Sequence, residues 1–223
     1  LTAQNTTGVY DVLEATPEFV GEQIDCIFND IRPDAVKIGM VSNIGIIEKI
    51  AEKLKEHKAE NIVVDPVMVS TSGCALMSPD AQDTLVSKLL PMADIITPNI
   101  PEAECLCGFK IESTEDMVRA AEVIGKNLKG GVLIKGGHLT ETADDLLYDQ
   151  GELIWYKGER VNNPNTHGTG CTLSSAIASN LALGYDMRTS VKNAKDYITG
   201  ALKDGMDLGK GSGPLNHAYK ITK

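Results

Sequence analysis

The chain has 223 residues, of which 42% are hydrophobic, so it is long enough to bury the core of one large α/β domain. Its 31 acidic residues outnumber the 21 lysines and arginines, and the formal net charge of −10 disfavours non-specific binding to nucleic acid or to an anionic membrane surface. No apolar run approaches the roughly 18 residues of a membrane-spanning helix. Because the net charge is negative, a phosphate-bearing ligand would need a local binding site.

The first residues and the cysteines indicate where the protein works. Residues 1–6 show neither the charged region nor the apolar run of a signal peptide. The five cysteines are odd in number, and no second pair completes a zinc site for Cys105 and Cys107; the others are Cys26, Cys74 and Cys171. Reduced thiols are the simplest account, so we expect a cytoplasmic protein.

The first predicted elements are a strand, a helix and a second strand. Residues 35–40 have the composition of a strand. A helix is predicted from about 43 to 57, because five apolar residues fall on one face at helical spacing: Ile46, Ile47, Ile50, Ala51 and Leu54. Residues 61–65 then predict a short buried strand, which ends at Asp65 because Pro66 has no N–H to donate to a sheet.

The same alternation continues twice. Ser78 is a candidate N-cap, with Pro79 at the first position of the next helix, and residues 93–97 predict the strand that follows. Another helix is predicted to begin at Ser113, and residues 131–135 predict another strand.

The last part of the chain changes pattern. Two extended runs, 145–148 and 153–156, are separated by a short turn sequence and predict a β-hairpin. Two helices are predicted at about 171–183 and 189–204, followed by a glycine-rich segment.

Alternating strands and helices are typical of an α/β fold with a mainly parallel central sheet and helices on both faces. Without repeats or linkers, we expect a single domain over residues 1–223.

Polar side chains follow several predicted strands, where open parallel sheets bind ligands. They occur after residue 40, at Asp65, at 97–99 and at 135–138. Each of these could be an ordinary turn with solvated polar groups. Four such polar segments in succession favour a ligand-binding site at the carboxyl edge of the sheet.

The sharpest motif is the segment 165–176, which contains Gly168, Thr169, Gly170 and Cys171. The glycines allow a turn whose N–H groups point in one direction, and a helix is predicted to start there. Its free N–H groups and its dipole would hold a phosphoryl group and favour the thiolate of Cys171 as a base. The alternative is a glycine turn that caps a helix beside an inert buried cysteine.

This motif resembles the anion-hole signature of the ribokinase-like superfamily, in the cysteine form of the hydroxymethylpyrimidine and phosphomethylpyrimidine kinases and related pyridoxal kinases. Matching blocks follow in order along the chain, at 2–6, 37–40, 64–67, 97–103, 135–138 and 213–217. The resemblance implies a ribokinase-like α/β fold. It also implies that the chain as given lacks a strand, a glycine-rich turn and a helix with which such proteins begin.

The resemblance further implies roles in binding phosphate and magnesium. Asp65, Asn99 and Glu102 are similar to residues that organise Mg²⁺, and their oxygens suit this hard cation. Lys135, Thr166 and Asp65 would bind ATP or its phosphates. For Glu102 the alternative is a favourable acid at a helix N-terminus, and for Lys135 a solvated lysine at a strand end.

Other positions resemble the acceptor site. Gln4 is similar to a residue whose amide pairs with an aminopyrimidine, which a carboxamide can do because it offers donors and an acceptor. Met40 and Val67 resemble apolar residues that pack on the flat ring, although ordinary core packing is an equal alternative for Val67. His167 and His138 are weaker candidates. His167 lies next to the phosphate loop and could bind phosphate, and the alternative is a loop histidine that bonds with the backbone.

The resemblance therefore implies an ATP- and Mg²⁺-dependent kinase of thiamine biosynthesis. Its acceptors would be 4-amino-5-hydroxymethyl-2-methylpyrimidine and the corresponding monophosphate, with Cys171 as base and the 168–171 amides holding the transferred group. We expect a homodimer that binds neither nucleic acid nor membrane. The alternatives are a pyridoxal or pyridoxine kinase of the same superfamily and a non-catalytic pyrimidine-binding domain.

Overall fold

The computed structural model describes residues 1–41, 43–68, 77–137 and 143–221. The chain divides into two compact units. We call Pro17–Arg160 the sheet unit, and Leu1–Thr16 together with Val161–Lys223 the loop unit. Whether they form one domain, as the sequence suggests, stays a prediction.

The regular elements follow one another along the described residues. In chain order they are β1 (Thr2–Asn5), β2 (Gly8–Val12), α1 (Pro17–Asp30), β3 (Val36–Ile38), α2 (Ile44–Glu56), β4 (Ile62–Val64), α3 (Pro79–Thr84), a π-helical turn (Leu85–Leu89), a 3-10 turn (Leu90–Met92), β5 (Ile95–Ile96), α4 (Ile100–Cys107), α5 (Thr114–Gly125), β6 (Gly131–Ile134), β7 (Asp145–Asp149), β8 (Glu152–Tyr156), α6 (Thr169–Ala182) and α7 (Met187–Lys203).

The sheet unit contains a mixed six-stranded sheet in the order β3-β4-β5-β6-β7-β8. The first four strands are parallel, and β7 and β8 join antiparallel to β6 and to each other. Strands β4, β5 and β6 are buried along their whole length, which explains their continuous apolar sequences. The structure confirms the predicted α/β class, the mainly parallel sheet and the hairpin at β7 and β8.

Local sequence explains where the helices of the sheet unit begin. The Asn43 side chain accepts a hydrogen bond from the Ile46 amide at the start of α2, and Ser78 does the same for Ala81 at the start of α3. Ile47, Ile50 and Leu54 of α2 are buried, as their spacing predicts. They join one apolar core with β3–β7 and α3–α5.

The loop unit consists of the β1-β2 hairpin and the helices α6 and α7 with the segments that flank them. Helix α6 begins at Thr169, two residues before the predicted start, and Gly168 is its N-cap with φ +79°. Helix α7 begins after Asp186, whose side chain accepts a hydrogen bond from the Thr189 amide.

Elements β1, β2 and α1 are not predicted from the sequence. Every residue of both strands is exposed, so they carry no alternation of buried and exposed residues. In α1 only Gly21 is fully buried. Among the described residues, no helix is both long enough and apolar enough to cross a membrane.

Candidate active site

The site residues that the sequence predicts fall in both units. In the sheet unit they lie at the carboxyl ends of neighbouring strands. Asp65 follows β4, Asn99 follows β5 and Lys135 follows β6. Because β4, β5 and β6 are parallel and adjacent, these residues meet at one edge of the sheet. A further parallel bridge between Asn99 and Lys135 continues the pairing of β5 with β6.

A buried ion pair lies at this edge. The Nζ atom of Lys135 is 2.9 Å from Oδ1 of Asp65, whose side chain is only 3% exposed. The hydroxyl of Thr97 donates a hydrogen bond to the same Oδ1 atom at 2.9 Å. Two donors therefore satisfy Oδ1 of Asp65, and among the described residues none donates to Oδ2, which is the oxygen that a ligand could use.

Asn99 and Glu102 form a capping box at the start of α4. The Asn99 Oδ1 atom accepts a hydrogen bond from the Glu102 amide at 2.9 Å, and the Glu102 Oε2 atom accepts one from the Asn99 amide at 2.8 Å. This reciprocal pair is a sufficient structural reason for both residues. The role of Asn99 in binding Mg²⁺ stays a prediction.

Glu102 is unusual because its carboxyl group is almost completely buried, with 2% of the residue exposed. Burial raises its pKa from 4.5 to about 7, and the neighbouring Asp65 carboxylate adds to this effect. Lys135 and the hydrogen bond from Asn99 act in the opposite direction. Near neutral pH the group can therefore exchange its proton when a cation approaches.

The described residues do not hold a ready-made metal cage. Within residues 1–41, 43–68, 77–137 and 143–221, no three His, Cys, Asp or Glu side chains lie close enough together to bind a metal ion. Asp65 and Glu102 nevertheless supply hard oxygen donors at one edge of the sheet. This donor chemistry fits Mg²⁺, which usually takes one or two protein carboxylates and completes its shell with water and phosphate oxygens.

The two predicted apolar contacts also lie in the sheet unit. Met40 follows β3 and is 53% exposed, whereas Val67 follows β4 and is half-buried. Neither belongs to the buried core cluster, and their contact with a ligand stays a prediction.

The predicted phosphate loop lies in the loop unit. It turns at Gly168, whose φ of +79° favours glycine, and α6 starts at the next residue. Within the described part of the chain, the amide N–H groups of Gly170 and Cys171 have no hydrogen-bond partner. The Cys171 side chain is exposed and its thiol is free. The structure thus brings two unpaired donors and a thiol to one helix N-terminus.

The β1-β2 hairpin meets this loop through Gln4. Its Nε2 atom lies 3.2 Å from Nε2 of His167, the residue just before Gly168. Both side chains are exposed and so are open to a ligand. Thr166, a predicted phosphate-binding residue, is also exposed, and its carbonyl accepts a hydrogen bond from the Thr169 amide at 3.3 Å.

A groove of about 840 Å³ begins at this loop and follows α6. This volume lies within the range of small-molecule sites. Beyond the end of α6, Leu183 and Tyr185 line it. The rest of its lining is mostly small or polar and includes Cys171, Thr172, Ser175, Asn180, Tyr197 and His217. Gly168 and Cys171, which the sequence predicts as site residues, line its start, whereas its other lining residues are not predicted from the sequence.

Two buried residues of these units are also not predicted from the sequence as site residues. Thr97 is fully buried against Asp65, and Asn165 is 4% exposed with its amide group fully engaged. Both stood in motifs that the sequence analysis singled out, but only their tertiary partners show what they do. His138 and Cys74 lie outside the described residues.

Comparison with known proteins identifies the family of this chain. A family model described as phosphomethylpyrimidine kinase matches residues 1–216. The hydroxymethylpyrimidine/phosphomethylpyrimidine kinase of Rhizobium meliloti is 44% identical over 227 residues, covering 100% of this chain and 85% of that protein. The thiamine biosynthesis bifunctional protein ThiED of Geobacter sulfurreducens is also 44% identical, over 97% of this chain, but the chain spans only 44% of its length.

Solved structures agree with these relatives. The crystal structure of phosphomethylpyrimidine kinase from Clostridium difficile 630 has a TM-score of 0.82 and 47% identity, covering 90% of this chain and 83% of that one. Pyridoxal kinase from Staphylococcus aureus in complex with AMP-PCP has a TM-score of 0.89 and 32% identity, covering 99% of this chain and 81% of that one. These neighbours confirm the ribokinase-like fold, and the relatives are named as kinases. The chain belongs to the phosphomethylpyrimidine kinase family.

Proposed function

We propose that the protein transfers the γ-phosphoryl group of ATP to the hydroxymethyl group of 4-amino-5-hydroxymethyl-2-methylpyrimidine, and then to the resulting monophosphate. The observation that supports this most directly is the position of Gln4 beside His167, at the start of a loop with two unpaired amides. A carboxamide suited to an aminopyrimidine thus lies next to donors suited to a phosphoryl group.

The reaction is an in-line displacement. The hydroxyl oxygen of the acceptor forms a bond to the γ-phosphorus as the bond from phosphorus to the β-bridging oxygen breaks, and ADP leaves. Cys171 accepts the hydroxyl proton on Sγ, while the amides of Gly170 and Cys171 stabilise charge on the transferred group, with Thr169 and Gly168 shaping the turn. In the second round the accepting oxygen belongs to the monophosphate, and the product is a pyrophosphate.

The groove along α6 is the proposed nucleotide site. It starts at Gly168 and Cys171, where the γ-phosphoryl group must lie, and its volume is sufficient for a nucleoside. Tyr185, which is 48% exposed at the far end, offers an aromatic face to a base.

In the sheet unit we assign Asp65, Asn99 and Glu102 to Mg²⁺, and Lys135 to a phosphate of ATP. When bound, Mg²⁺ neutralises charge on the phosphate oxygens. The Oδ2 atom of Asp65 and the carboxyl group of Glu102 supply the protein's oxygens, while Thr97 and Lys135 hold the Asp65 side chain in place through Oδ1.

The substitution Cys171→Ala tests the proposed chemistry. The variant should bind ATP and the pyrimidine with unchanged affinity in calorimetry but lose roughly 10²–10⁴ in kcat, because it lacks the general base. Cys26→Ala is a matched control, since Cys26 is also an exposed free thiol but lies on α1. Unchanged turnover in Cys171→Ala would remove this residue from the mechanism, and binding without turnover by the unaltered chain would indicate a non-catalytic domain.

Pyridoxal is the second candidate acceptor, because the pyridoxal kinase neighbour shares the fold over nearly the whole chain. The ratio of kcat/KM on the pyrimidine to kcat/KM on pyridoxal decides between them. We expect the pyrimidine to be preferred, and Gln4→Leu to raise its KM by removing the amide that pairs with the ring. A higher kcat/KM on pyridoxal would overturn this choice.

The homodimer and the cytoplasmic location stay predictions. Analytical ultracentrifugation of the purified chain would check the first, and fractionation of cells that express it would check the second. A monomer across the working concentration range would contradict the predicted dimer.

A further inference from the structure

A glycine-rich segment of the loop unit has no role in the proposed chemistry. It runs from Met206 to Gly213 and follows α7; we call it the glycine strap. The strap contacts both the turn of the β1-β2 hairpin and the residues that lead into the phosphate loop. It therefore bridges the part of the unit that carries Gln4 and the part that carries Cys171.

Thr6 makes the contact on the hairpin side. Its Oγ1 atom accepts hydrogen bonds from the amides of Lys210 at 3.2 Å and Gly211 at 3.3 Å. The two backbones approach so closely that a Cβ atom on Gly211 would collide with the carbonyl oxygen of Thr6. Only glycine fits there, so the strap lies directly on the hairpin turn.

Asn165 makes the contact on the loop side. Its Nδ2 atom donates to the Met206 carbonyl at 3.0 Å and lies 3.3 Å from Oδ1 of Asp207, while its Oδ1 atom accepts from the Gly213 amide at 2.7 Å. The residue is 4% exposed, so water does not compete for these bonds. Asn165 thus ties both ends of the strap to a point three residues before Gly168.

The direct link between hairpin and loop is weaker. It consists of the exposed pair Gln4 and His167, whose side chains must also be available to ligands. An exposed hydrogen bond of this kind contributes only about 1 kcal/mol. The strap provides the second link, and its contacts do not involve any residue assigned to substrate.

We propose that the glycine strap positions the acceptor-binding hairpin relative to the phosphate loop, with Thr6 and Asn165 as its two attachment points. This inference rests on the proposed function, because it assumes that Gln4 holds the acceptor and that the 168–171 loop holds the phosphoryl group. A displacement of about 1 Å between reacting groups can cost about 10²-fold in rate. The same displacement admits water, whose oxygen then takes the γ-phosphoryl group and releases ADP and inorganic phosphate.

The variant Thr6→Val tests the proposal, because valine keeps the shape of threonine but cannot accept the two strap hydrogen bonds. We expect kcat for pyrimidine phosphorylation to fall on the order of tenfold. We also expect the ADP formed per phosphorylated acceptor to rise at least about twofold, because water competes as acceptor. Thr6→Ser should restore both values, since it keeps the hydroxyl group.

Thr7→Val is the matched control. Its hydroxyl group belongs to the same turn but bonds with Asn5 and Tyr10 instead of the strap. A second pair of variants is Gly211→Ala, which pushes the strap away from Thr6, and Gly8→Ala, whose new methyl group meets nothing within 4 Å. Thr6→Val and Gly211→Ala should show the defect. Thr7→Val and Gly8→Ala should resemble the unaltered chain.

Amide hydrogen exchange separates this proposal from the proposed function, because it needs no substrate. Thr6→Val should speed exchange in the phosphate loop at 166–172 as well as in the hairpin. Faster exchange in the hairpin alone, or an unchanged ratio of ADP to product in an active enzyme, would overturn the positioning role. Absence of pyrimidine phosphorylation by the unaltered chain would instead overturn the proposed function.

Discussion

Replacing Glu102 with glutamine should remove a pH dependence from the stability of the protein. Burial raises the pKa of the Glu102 carboxyl group from 4.5 to about 7, against the opposing effect of Lys135. In the unfolded chain the group loses its proton near pH 4.5, but the folded protein keeps it up to about pH 7. Between these values the folded state binds more protons, so the free energy of unfolding falls as the pH rises and levels off above 7.

The structure sets the size of this effect. A pKa raised from 4.5 to about 7 corresponds to about 3 kcal/mol, since each pH unit contributes about 1.4 kcal/mol. Solvent screens this effect little, because Glu102 is 2% exposed. Glutamine can still accept the hydrogen bond from the Asn99 amide, so the capping box is preserved and only the ionisable group is lost.

Urea unfolding of the metal-free protein at intervals from pH 4.5 to 8 measures the effect. The free energy of unfolding of Glu102→Gln minus that of the unaltered chain should increase by about 3 kcal/mol over this range. Glu122→Gln, a similar change at an exposed position of α5, controls for the altered net charge and should show no such increase. Parallel curves for Glu102→Gln and the unaltered chain would refute the argument from burial.

Three further substitutions test other contacts, each by urea unfolding. Asn165→Leu leaves the Gly213 amide unpaired and should lower the free energy of unfolding by about 2 kcal/mol; an unchanged midpoint would mean that water replaces the side chain. Lys135→Met leaves the buried Asp65 carboxylate without its cation and should cost about 3 kcal/mol at pH 7, so a gain in stability would contradict the pairing. Ser113→Ala removes the N-cap of α5 and should cost about 1 kcal/mol without changing kcat; a loss of activity would be unexpected.

Much of the sheet unit is predictable because its local signals agree with its tertiary structure. The Ser78-Pro79 start of α3 and the apolar face of α2 are properties of short sequences, and the structure confirms both. Strands β4, β5 and β6 are continuous apolar runs because helices and strands bury them completely. The polar residues that follow them meet at one edge because parallel neighbours end on the same side.

The missed elements lacked such signals. The β1-β2 hairpin is exposed on every residue, so its pairing leaves no trace in the hydrophobic pattern. The roles of Thr97 and Asn165 depend on partners 32 and more than 40 residues away in the chain. Local sequence cannot report contacts at that separation.

The sequence by itself determined the α/β class, the family and the glycine turn with Cys171. The class and the family follow from local patterns and motifs along the chain, and a helix start with an N–H-rich turn needs only the residues within it. Tertiary structure decided the rest. Lys135 pairs with Asp65, Glu102 is buried deeply enough to raise its pKa, and the segment after α7 holds Thr6 and Asn165 together. These are properties of distance and burial, and only the folded chain brings residues far apart in sequence into a common environment of low polarity.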